Sequence, residues 1–310
     1  MKLGILKLSH LGDIIHTLPL AYVIKKERPD FEIHWIIEKN YLKTFENINF
    51  VDKFLPFCFK GKEILNSFKR LRAQNLDFLI DAQGLYKTVL ISFFSNSCKR
   101  VGFGLKGLKE KNLFFLYHKK ISPQGTHIID KNLSFASYLG IDHFYFNDYN
   151  LKDLSEDPEG RVSDFLKKTN FEKFGIFHPF SSSKDKDFPL KPIKEICHFL
   201  KTKNTALVIT YGPGQEKRAE EASTFLDTIK APTFSIKEMA YLIEKSIFFI
   251  GPDTGFYHLA DAFRKPLVGF FTWHSPERNG NYFSKGLNFY KEEIQKENIL
   301  NFLEENCPSF

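Results

Sequence analysis

Cysteine is scarce in this sequence of 310 residues, and its four cysteines form no CxxC pair. Isolated cysteines argue against a zinc site and indicate reduced thiols, as in a cytoplasmic compartment. Long apolar runs are missing too, since none reaches the roughly 18 residues that a transmembrane helix needs. The first residues lack the apolar core and small-residue cleavage site of a signal peptide, so we expect them to form a strand.

Several catalytic signatures are absent as well. The sequence contains no GxxxxGK[ST] phosphate loop and no GxSxG nucleophile elbow. The segment GFGLKG at 102–107 has the GxGxxG spacing, but we do not interpret it as a dinucleotide fingerprint. None of its ten histidines forms an HxxxH pair. These absences disfavour a P-loop enzyme, a serine hydrolase of the elbow type and a histidine metal site, and we do not expect a nicotinamide dehydrogenase either.

What the sequence does have is positive charge, with a formal net charge of +7 and a pI of about 9.0. Such a surface favours an anionic partner, which includes nucleic acid, acidic lipid and phosphorylated substrates. A merely soluble basic protein fits the same numbers. Nucleic acid is the weaker alternative, because no recognised binding module accompanies the charge.

Apolar runs alternate with amphipathic segments through both halves of the chain. In the first half the predicted strands are KLGILKL, FEIHWII, LDFLIDA and KRVGFG, and in the second they are FGIFHPF, TALVITYG, SIFFIGP and PLVGFF. Apolar runs joined by helices are typical of parallel sheets that are covered on both faces. Pro19 removes a helical donor, so we expect the first helix to kink there or to become regular only from Leu18.

A polar segment, FNDYNLKDLSEDPEGR, separates the halves and is the predicted linker. We therefore predict an α/β protein with two doubly wound, Rossmann-like domains, residues 1–153 and 154–285, and a final amphipathic helix within 286–310. Two such domains place a ligand cleft between the carboxyl ends of their sheets.

Four polar turns follow predicted strands: SHLGD at 9–13, DAQG at 81–84, HPFSSSKDK at 178–186 and GPDTGFYH at 251–258. In the last, Asp253 is predicted to cap the next helix, which leaves the N–H groups of Thr254 and Gly255 for an anion. In the third, hydroxyls and Lys186 suit a diphosphate. Asp13 fits either a helix cap or a general base, and each turn also fits a plain cap or a polar surface loop.

Three further patterns bear on ligands. Asp185-Lys186-Asp187 spells a DxD metal motif, but a lysine between the acids competes with a cation, so no metal is expected. Glu216 follows a glycine turn and suits a ribose hydroxyl or the helix dipole. Basic residues gather in the first half, as a solvated face or as a site for an acidic acceptor, at Lys60, Lys62, Lys69, Arg70, Arg72, Lys99, Arg100, Lys106 and Lys109.

Taken together, these motifs resemble the heptosyltransferase family of lipopolysaccharide core biosynthesis over nearly the whole chain. The resemblance rests on K-x-S-x-L-G-D-I-x-H-T-L-P at 7–19, I-D-A-Q-G-L at 80–85, S-S-x-K-D-K-x-F-P ending at Pro189, Y-G-x-x-x-E at 211–216 and D-T-G-x-x-H-L at 253–259. The sequence departs from the family at Thr272–Pro276, where T-W-H-S-P replaces the usual G-x-T-D-P.

The resemblance implies a glycosyltransferase-B fold whose C-terminal helix, within 286–310, packs back towards the N-terminal domain. It implies inverting, metal-independent and cofactor-free transfer of L-glycero-D-manno-heptose from ADP-heptose to a Kdo residue of Kdo-lipid A. The DAQG turn favours the type I enzyme. The implied location is cytoplasmic and peripheral, on the anionic inner face of the inner membrane. The alternatives are heptosyltransferase II or another later core enzyme, and a non-catalytic sugar-nucleotide-binding protein.

The resemblance also assigns roles residue by residue. Asp13 is the base that takes the proton of the acceptor hydroxyl, and Lys186 is the cation at the leaving diphosphate. Donor binding falls to Ser181, Ser182, Lys186, Glu216, Asp253, Thr254, Gly255 and His258. Acceptor binding falls to Lys7, Ser9, Gly12, Lys60, Lys62, Lys109 and His127.

Overall fold

A computed structural model describes residues 1–105, 115–291 and 293–307. The chain divides into two compact units, Met1–Tyr149 and Asn150–Phe310. This division falls inside the predicted linker, close to the boundary that we placed near Asp153. Each unit contains a six-stranded parallel sheet with helices along its connections, so the predicted α/β class with two doubly wound sheets is confirmed.

In the first unit, strands and helices alternate from the N-terminus. The elements are β1 (Lys2–Leu6), α1 (Leu11–Ile15), α2 (Leu18–Glu27), β2 (Glu32–Glu38), α3 (Leu42–Phe45), β3 (Lys53–Phe57), α4 (Glu63–Arg72), β4 (Phe78–Asp81), α5 (Tyr86–Phe94), β5 (Lys99–Phe103), β6 (Lys119–Ile121) and α6 (Ile128–Tyr138). The sheet order is β3-β2-β1-β4-β5-β6. The order reverses between β1 and β4, and ligands of such sheets bind beyond the carboxyl ends of the strands at that point.

The first helical segment breaks where the sequence predicted. α1 ends at Ile15 and α2 begins at Leu18, which places Pro19 in the first turn of α2, where its missing N–H costs no hydrogen bond. Thr17 between them donates its hydroxyl to the Asp13 carbonyl at 2.9 Å. The break therefore leaves α1 as a short, separately oriented helix directly after β1.

The second unit repeats the scheme. Its elements are α7 (Arg161–Thr169), β7 (Phe174–Phe177), α8 (Lys191–Thr202), β8 (Ala206–Ile209), α9 (Glu216–Leu226), β9 (Ile229–Lys230), α10 (Ile236–Lys245), β10 (Phe249–Pro252), α11 (Gly255–Ala262), β11 (Leu267–Phe271), α12 (Pro276–Asn279), β12 (Gly286–Tyr290) and α13 (Lys296–Asn306). The sheet order is β12-β11-β10-β7-β8-β9. Here the order reverses between β10 and β7, so the turns after those two strands lie at the switch point.

The C-terminal helix is shorter than predicted. Tyr290 pairs with Phe271 at the end of β12, so the helix begins only at Lys296. Ile299 and Leu303 of α13 are fully buried in the core of the second unit, and Glu304 lies 3.4 Å from Lys203 of α8. The structure thus places α13 on α8, and its packing towards the first unit stays a prediction.

Across the described ranges, no helix combines the length and the apolar character that crossing a bilayer requires.

Candidate active site

In the first unit, Asp13 lies in the first turn of α1, just beyond the carboxyl end of β1. The residue at the helix cap is His10, whose φ of 68° turns the chain sharply between strand and helix. The Asp13 side chain is 29% exposed, and its Oδ2 lies 4.0 Å from Lys7 Nζ. The capping alternative for Asp13 is therefore wrong, and its carboxylate stays accessible at the switch point of the sheet.

Lys7 is buried and ties two predicted turns together. Its Nζ donates to the Ala82 carbonyl at 3.1 Å, and the neighbouring Leu8 N–H donates to Gln83 Oε1 at 2.8 Å. The DAQG turn is thereby fixed against the end of β1. Lys7 thus supports the turn and also sets positive charge beside Asp13.

Asp81 is a buried carboxylate to which the sequence assigned no role. Its Oδ1 accepts the N–H groups of Gln83 and Gly84 at 2.9 and 3.0 Å, and its Oδ2 accepts the Tyr117 hydroxyl at 2.7 Å. Burial raises the pKa of Asp81, and the hydrogen bonds from Gly84 and Tyr117 offset part of that shift. Through these hydrogen bonds the buried Asp81 side chain holds the DAQG turn, so the role of Asp81 in this motif is structural.

The other predicted acceptor residues fall into two places. Ser9 is buried and Gly12 lies within α1, so both share the turn with Asp13. His127, the cap of α6, accepts the Ile129 N–H at 3.2 Å and packs edge-on against His16 with ring centroids 5.9 Å apart. It therefore lies against the residue that follows α1.

The structure does not bring all of the predicted acceptor-binding lysines to the turn that carries Asp13. Lys60 and Lys62 are exposed in the segment between β3 and α4. Because β3 is the edge strand and β2 separates it from β1, they lie at the sheet margin. Lys109 lies outside the described residues.

In the second unit, Asp253 does not cap α11 as predicted; the cap residue is Thr254. The Asp253 N–H still donates to the Phe270 carbonyl at 3.1 Å, so its backbone remains in register with the sheet. Its carboxylate accepts His258 Nε2 at 2.9 Å and Asn279 Nδ2 at 3.2 Å, with His274 Nδ1 at 3.4 Å. Asp253 therefore orients His258 and joins α11 to the loop after β11.

The start of α11 retains the character of an anion site. The first helical N–H groups lack partners within a helix, and Gly255 at this position leaves room for a ligand. Among the described residues, the buried Thr254 hydroxyl has no hydrogen-bond partner. Gly251 lets β10 approach β7 closely, since a Cβ there would lie 2.9 Å from the His178 carbonyl oxygen.

The loop after β7 is rigid where it carries Ser181. The Ser181 N–H donates to Asp187 Oδ1 at 2.8 Å, and its carbonyl accepts Gln215 Nε2 at 2.8 Å. Its hydroxyl exchanges hydrogen bonds with the Ser183 backbone at 3.1 Å. Ser181 therefore holds the loop, whereas Ser182 is exposed at its tip and available to a ligand.

Lys186 contacts the loop in which the sequence departs from its family. Its Nζ lies 3.6 Å from the centroid of the Trp273 ring, and Trp273 Nε1 donates to Asp185 Oδ2 at 2.7 Å. Hydrogen bonds from Ser183 and Trp273 lower the pKa of Asp185. The segment Thr272–Pro276 thus positions the proposed diphosphate cation, a role that the sequence alone did not indicate.

The carboxylates of the DKD segment have protein partners. Asp185 accepts from Ser183 and Trp273, and Asp187 pairs with Arg218. Within the residues that the structure describes, no cluster of histidine, cysteine and acid side chains could hold a metal ion. The expected independence from metals stays a prediction.

Two more donor-side features concern α9 and α11. Glu216 begins α9 with a largely exposed carboxylate, 4.0 Å from Lys230 Nζ. Asp261, which the sequence analysis missed, is buried on α11 and accepts the N–H groups of Tyr282 and Ser284 at 2.9 and 3.0 Å. An acid between two alanines in the stretch GFYHLADAF was the signal that could have found it. Asp261 therefore fixes the chain after α12.

The sequence of this chain is similar to those of known proteins. A family model described as glycosyltransferase family 9 (heptosyltransferase) matches residues 64–301, well over half of the chain. The chain belongs to this family. It is 30% identical over 293 residues to lipopolysaccharide heptosyltransferase 1 of Campylobacter coli, an alignment that covers 87% of this chain and 84% of that protein.

Solved structures show the same fold. The Escherichia coli heptosyltransferase WaaC, solved with ADP and with ADP-2-deoxy-2-fluoro heptose, matches with TM-scores of 0.79 and 0.77 at 20% identity, covering 99% of this chain and 100% of that one. E. coli ADP-heptose heptosyltransferase II matches with a TM-score of 0.77 at 15% identity, covering 99% of each chain. The glycosyltransferase-B fold of this family 9 member is therefore confirmed, and the fold does not separate type I from type II.

Proposed function

We propose that this chain is a type I heptosyltransferase, which moves L-glycero-D-manno-heptose from ADP-heptose to a Kdo residue of Kdo-lipid A. The observation that carries the proposal is an accessible carboxylate, Asp13, at the switch point of one sheet, in a chain whose other sheet has the glycine-led N-terminus of α11 at its own switch point. The 30% identity with heptosyltransferase 1 of Campylobacter coli supports type I.

In the proposed reaction, Asp13 takes the proton of the acceptor hydroxyl while that oxygen attacks the anomeric carbon of the heptose. The bond from this carbon to the β-phosphate oxygen breaks, and ADP leaves from the opposite face. The configuration at the anomeric carbon is therefore inverted. The Lys7 ammonium, 4.0 Å from Asp13, orients the carboxylate from a buried position.

The donor side compensates the charge that grows on the departing diphosphate. Lys186, the exposed Ser182 hydroxyl and the Thr254 hydroxyl supply donors, and the N-terminus of α11, beginning at Gly255, adds its dipole. Glu216, exposed at the start of α9, suits the ribose hydroxyls. No metal or cofactor is needed in this scheme, because cationic and N–H donors fill the role of a divalent ion.

The acceptor is acidic, since Kdo carries a carboxylate and lipid A carries phosphates. Lys60, Lys62, Lys109 and His127 are proposed to bind it. Attraction to the anionic inner leaflet, at about 1 kcal/mol per basic residue near the surface, would keep the enzyme peripheral to the membrane where this acceptor lies.

A later-core heptosyltransferase is the second candidate, because the structure of E. coli heptosyltransferase II fits this fold as well as that of WaaC with the fluoro-heptose donor. Incubation with ADP-heptose, EDTA and Kdo-bearing acceptors, with or without the first heptose, separates the candidates by mass spectrometry. One added heptose on the heptose-free acceptor is expected. Product only on the heptosylated acceptor would identify a later-core enzyme, and absence of acceptor-dependent ADP release would indicate a binding protein. Activity that vanished in EDTA and returned with Mg²⁺ would overturn the metal-free scheme.

Asp13→Asn is expected to lower kcat by about 10²–10⁴, the usual contribution of a positioned general base, and to leave the Kd for ADP unchanged. Asp164→Asn is the matched control, since Asp164 also lies in the first turn of a helix and is exposed. Calorimetry with ADP and steady-state kinetics measure the two quantities. Near-normal turnover of a folded Asp13→Asn protein would remove Asp13 as the base.

A further inference from the structure

Helix α5 turns an apolar face towards solvent. Its exposed residues, each 40–46% accessible, are all apolar or aromatic: Tyr86, Leu90, Phe93 and Phe94. They are spaced i, i+4, i+7 and i+8, so they share one face of the helix. The face turned into the protein contains the apolar Val89 and Ile91 together with the polar Thr88 and Ser92. The described residues of the first unit therefore leave this apolar face open to solvent.

Ring contacts extend this surface beyond α5. Phe93 and Phe94 lie 5.2 Å apart between ring centroids, and Phe94 contacts Phe68 of α4 at 6.1 Å. Phe68 then meets Phe57 at 5.2 Å, and Phe57 meets the exposed Phe59 at 5.0 Å. We call the surface formed by Phe59, Phe68, Tyr86, Leu90, Phe93 and Phe94 the α4–α5 face.

Cations are attached directly to this face. Lys87 Nζ lies 5.1 Å from the Phe59 centroid, and the Arg100 guanidinium lies 5.4 Å from that of Phe93. Arg72 Nε donates to the Phe94 carbonyl at 2.8 Å. Lys69 is exposed three residues before Arg72 and shares its side of α4.

The acids near this face are fewer than the cations. Glu38 pairs with Lys87 at 3.1 Å, and Glu63 lies 3.9 Å from Arg70. Within 59–72 the sequence has five basic residues and one acid, so the rim of the face is positive.

We propose that the α4–α5 face docks on an anionic phospholipid bilayer, with its rings at the boundary of headgroups and acyl chains and its cations on the phosphates. Exposed aromatic rings beside lysine and arginine suit an interface that is apolar below and anionic above. A second copy of the chain fits less well, because a symmetric contact would set these cations against each other. The inference deepens the proposed function, in which the acceptor is a lipid.

Co-sedimentation of the full chain with lipid vesicles tests this inference. Binding is expected to vesicles that contain phosphatidylglycerol and not to pure phosphatidylcholine, and added salt should reverse it. Leu90→Ser with Phe93→Ser should weaken binding roughly tenfold or more through lost apolar burial. Lys69→Gln should weaken it about fivefold, which corresponds to about 1 kcal/mol for one basic residue.

Phe225→Ser is the matched control. Phe225 is 45% exposed on α9 of the second unit, and Lys194 Nζ lies 4.7 Å from its ring centroid, but this ring–cation pair is not part of the α4–α5 face. Its loss should leave vesicle binding unchanged. Circular dichroism and thermal melts of each variant check that it folds.

Binding that persists in the folded Leu90→Ser, Phe93→Ser protein would overturn the inference. So would concentration-dependent self-association that this variant abolishes, because a second copy would then cover the face. Transfer to a soluble, deacylated Kdo acceptor should be unaffected by the paired Leu90→Ser and Phe93→Ser substitutions. If the protein binds vesicles but transfers heptose to no Kdo acceptor, the proposed function alone is refuted. If it transfers heptose and its vesicle binding does not depend on the α4–α5 face, the docking surface alone is refuted.

Discussion

Replacing Trp273 with alanine is expected to weaken ADP binding, and to do so only through Lys186. The Lys186 ammonium lies 3.6 Å from the indole centroid, and the Trp273 N–H to Asp185 holds the ring in place. Because the indole is 60% exposed, this cation–π contact is worth about 0.5–1 kcal/mol. If that contact holds the lysine where the diphosphate binds, its loss raises the Kd for ADP about two- to fivefold.

A double-mutant cycle isolates this coupling. Calorimetry with ADP is carried out on the unmodified protein, Trp273→Ala, Lys186→Met and the double variant. Trp273→Ala should have no effect once Lys186 is methionine, and Trp273→Phe should be intermediate, since it retains a ring but loses the N–H. Tighter ADP binding by Trp273→Ala would show that the indole competes with the diphosphate for Lys186. Equal losses in both backgrounds would show that the lysine is not the route; either result would refute the reasoning.

Two further predictions concern the acceptor and pH. Lys60→Ala should raise the acceptor KM and leave the ADP-heptose KM unchanged. Lys167 is an exposed lysine of the second unit, and Lys167→Ala should change neither KM. A rise in the ADP-heptose KM of Lys60→Ala would assign Lys60 to nucleotide binding. Burial lowers the pKa of His178 to about 4 from 6.5, so the unfolded chain binds a proton between those values that the folded chain does not. Stability should therefore fall as pH drops through this window, by at most about 1.4 kcal/mol per pH unit from this residue. Denaturant titrations should show a flatter pH dependence for His178→Gln, and an unchanged slope would contradict the assignment.

Much of the fold follows from local sequence. Runs such as KLGILKL and SIFFIGP are buried on both faces, so the apolar pattern alone predicts central parallel strands. Pro19 marks the break between α1 and α2 for a steric reason that needs no tertiary information. The edge strands β6, β9 and β12 were not predicted. β6 and β9 are short and partly polar and pair only with β5 and β8, and β12 lies in a segment that was assigned to the C-terminal helix.

In the candidate site, too, local sequence predicts some features and misses those that depend on distant contacts. Glycine turns after strands predicted the positions of Asp13, between β1 and α2, and of the start of α11, after β10, while their roles in binding and catalysis stay predictions. The prediction that Asp253 caps α11 was wrong, because Thr254 is the cap residue and the Asp253 carboxylate accepts His258 Nε2 instead. The contact between Lys186 and Trp273 joins residues on two separate loops, and the bond from Tyr117 to Asp81 spans 36 residues. No local pattern predicts such contacts.

The two tryptophans of this chain occupy opposite environments. Trp35 is fully buried in β2, where its indole N–H donates to the Lys7 carbonyl at 3.0 Å, while Trp273 lies exposed against Lys186. Emission from the first is shielded from added quenchers, so nearly all of the quenchable fluorescence comes from the second. The unlabelled protein thus carries its own optical probe at the proposed diphosphate site, and occupancy of that site can be followed in real time during turnover.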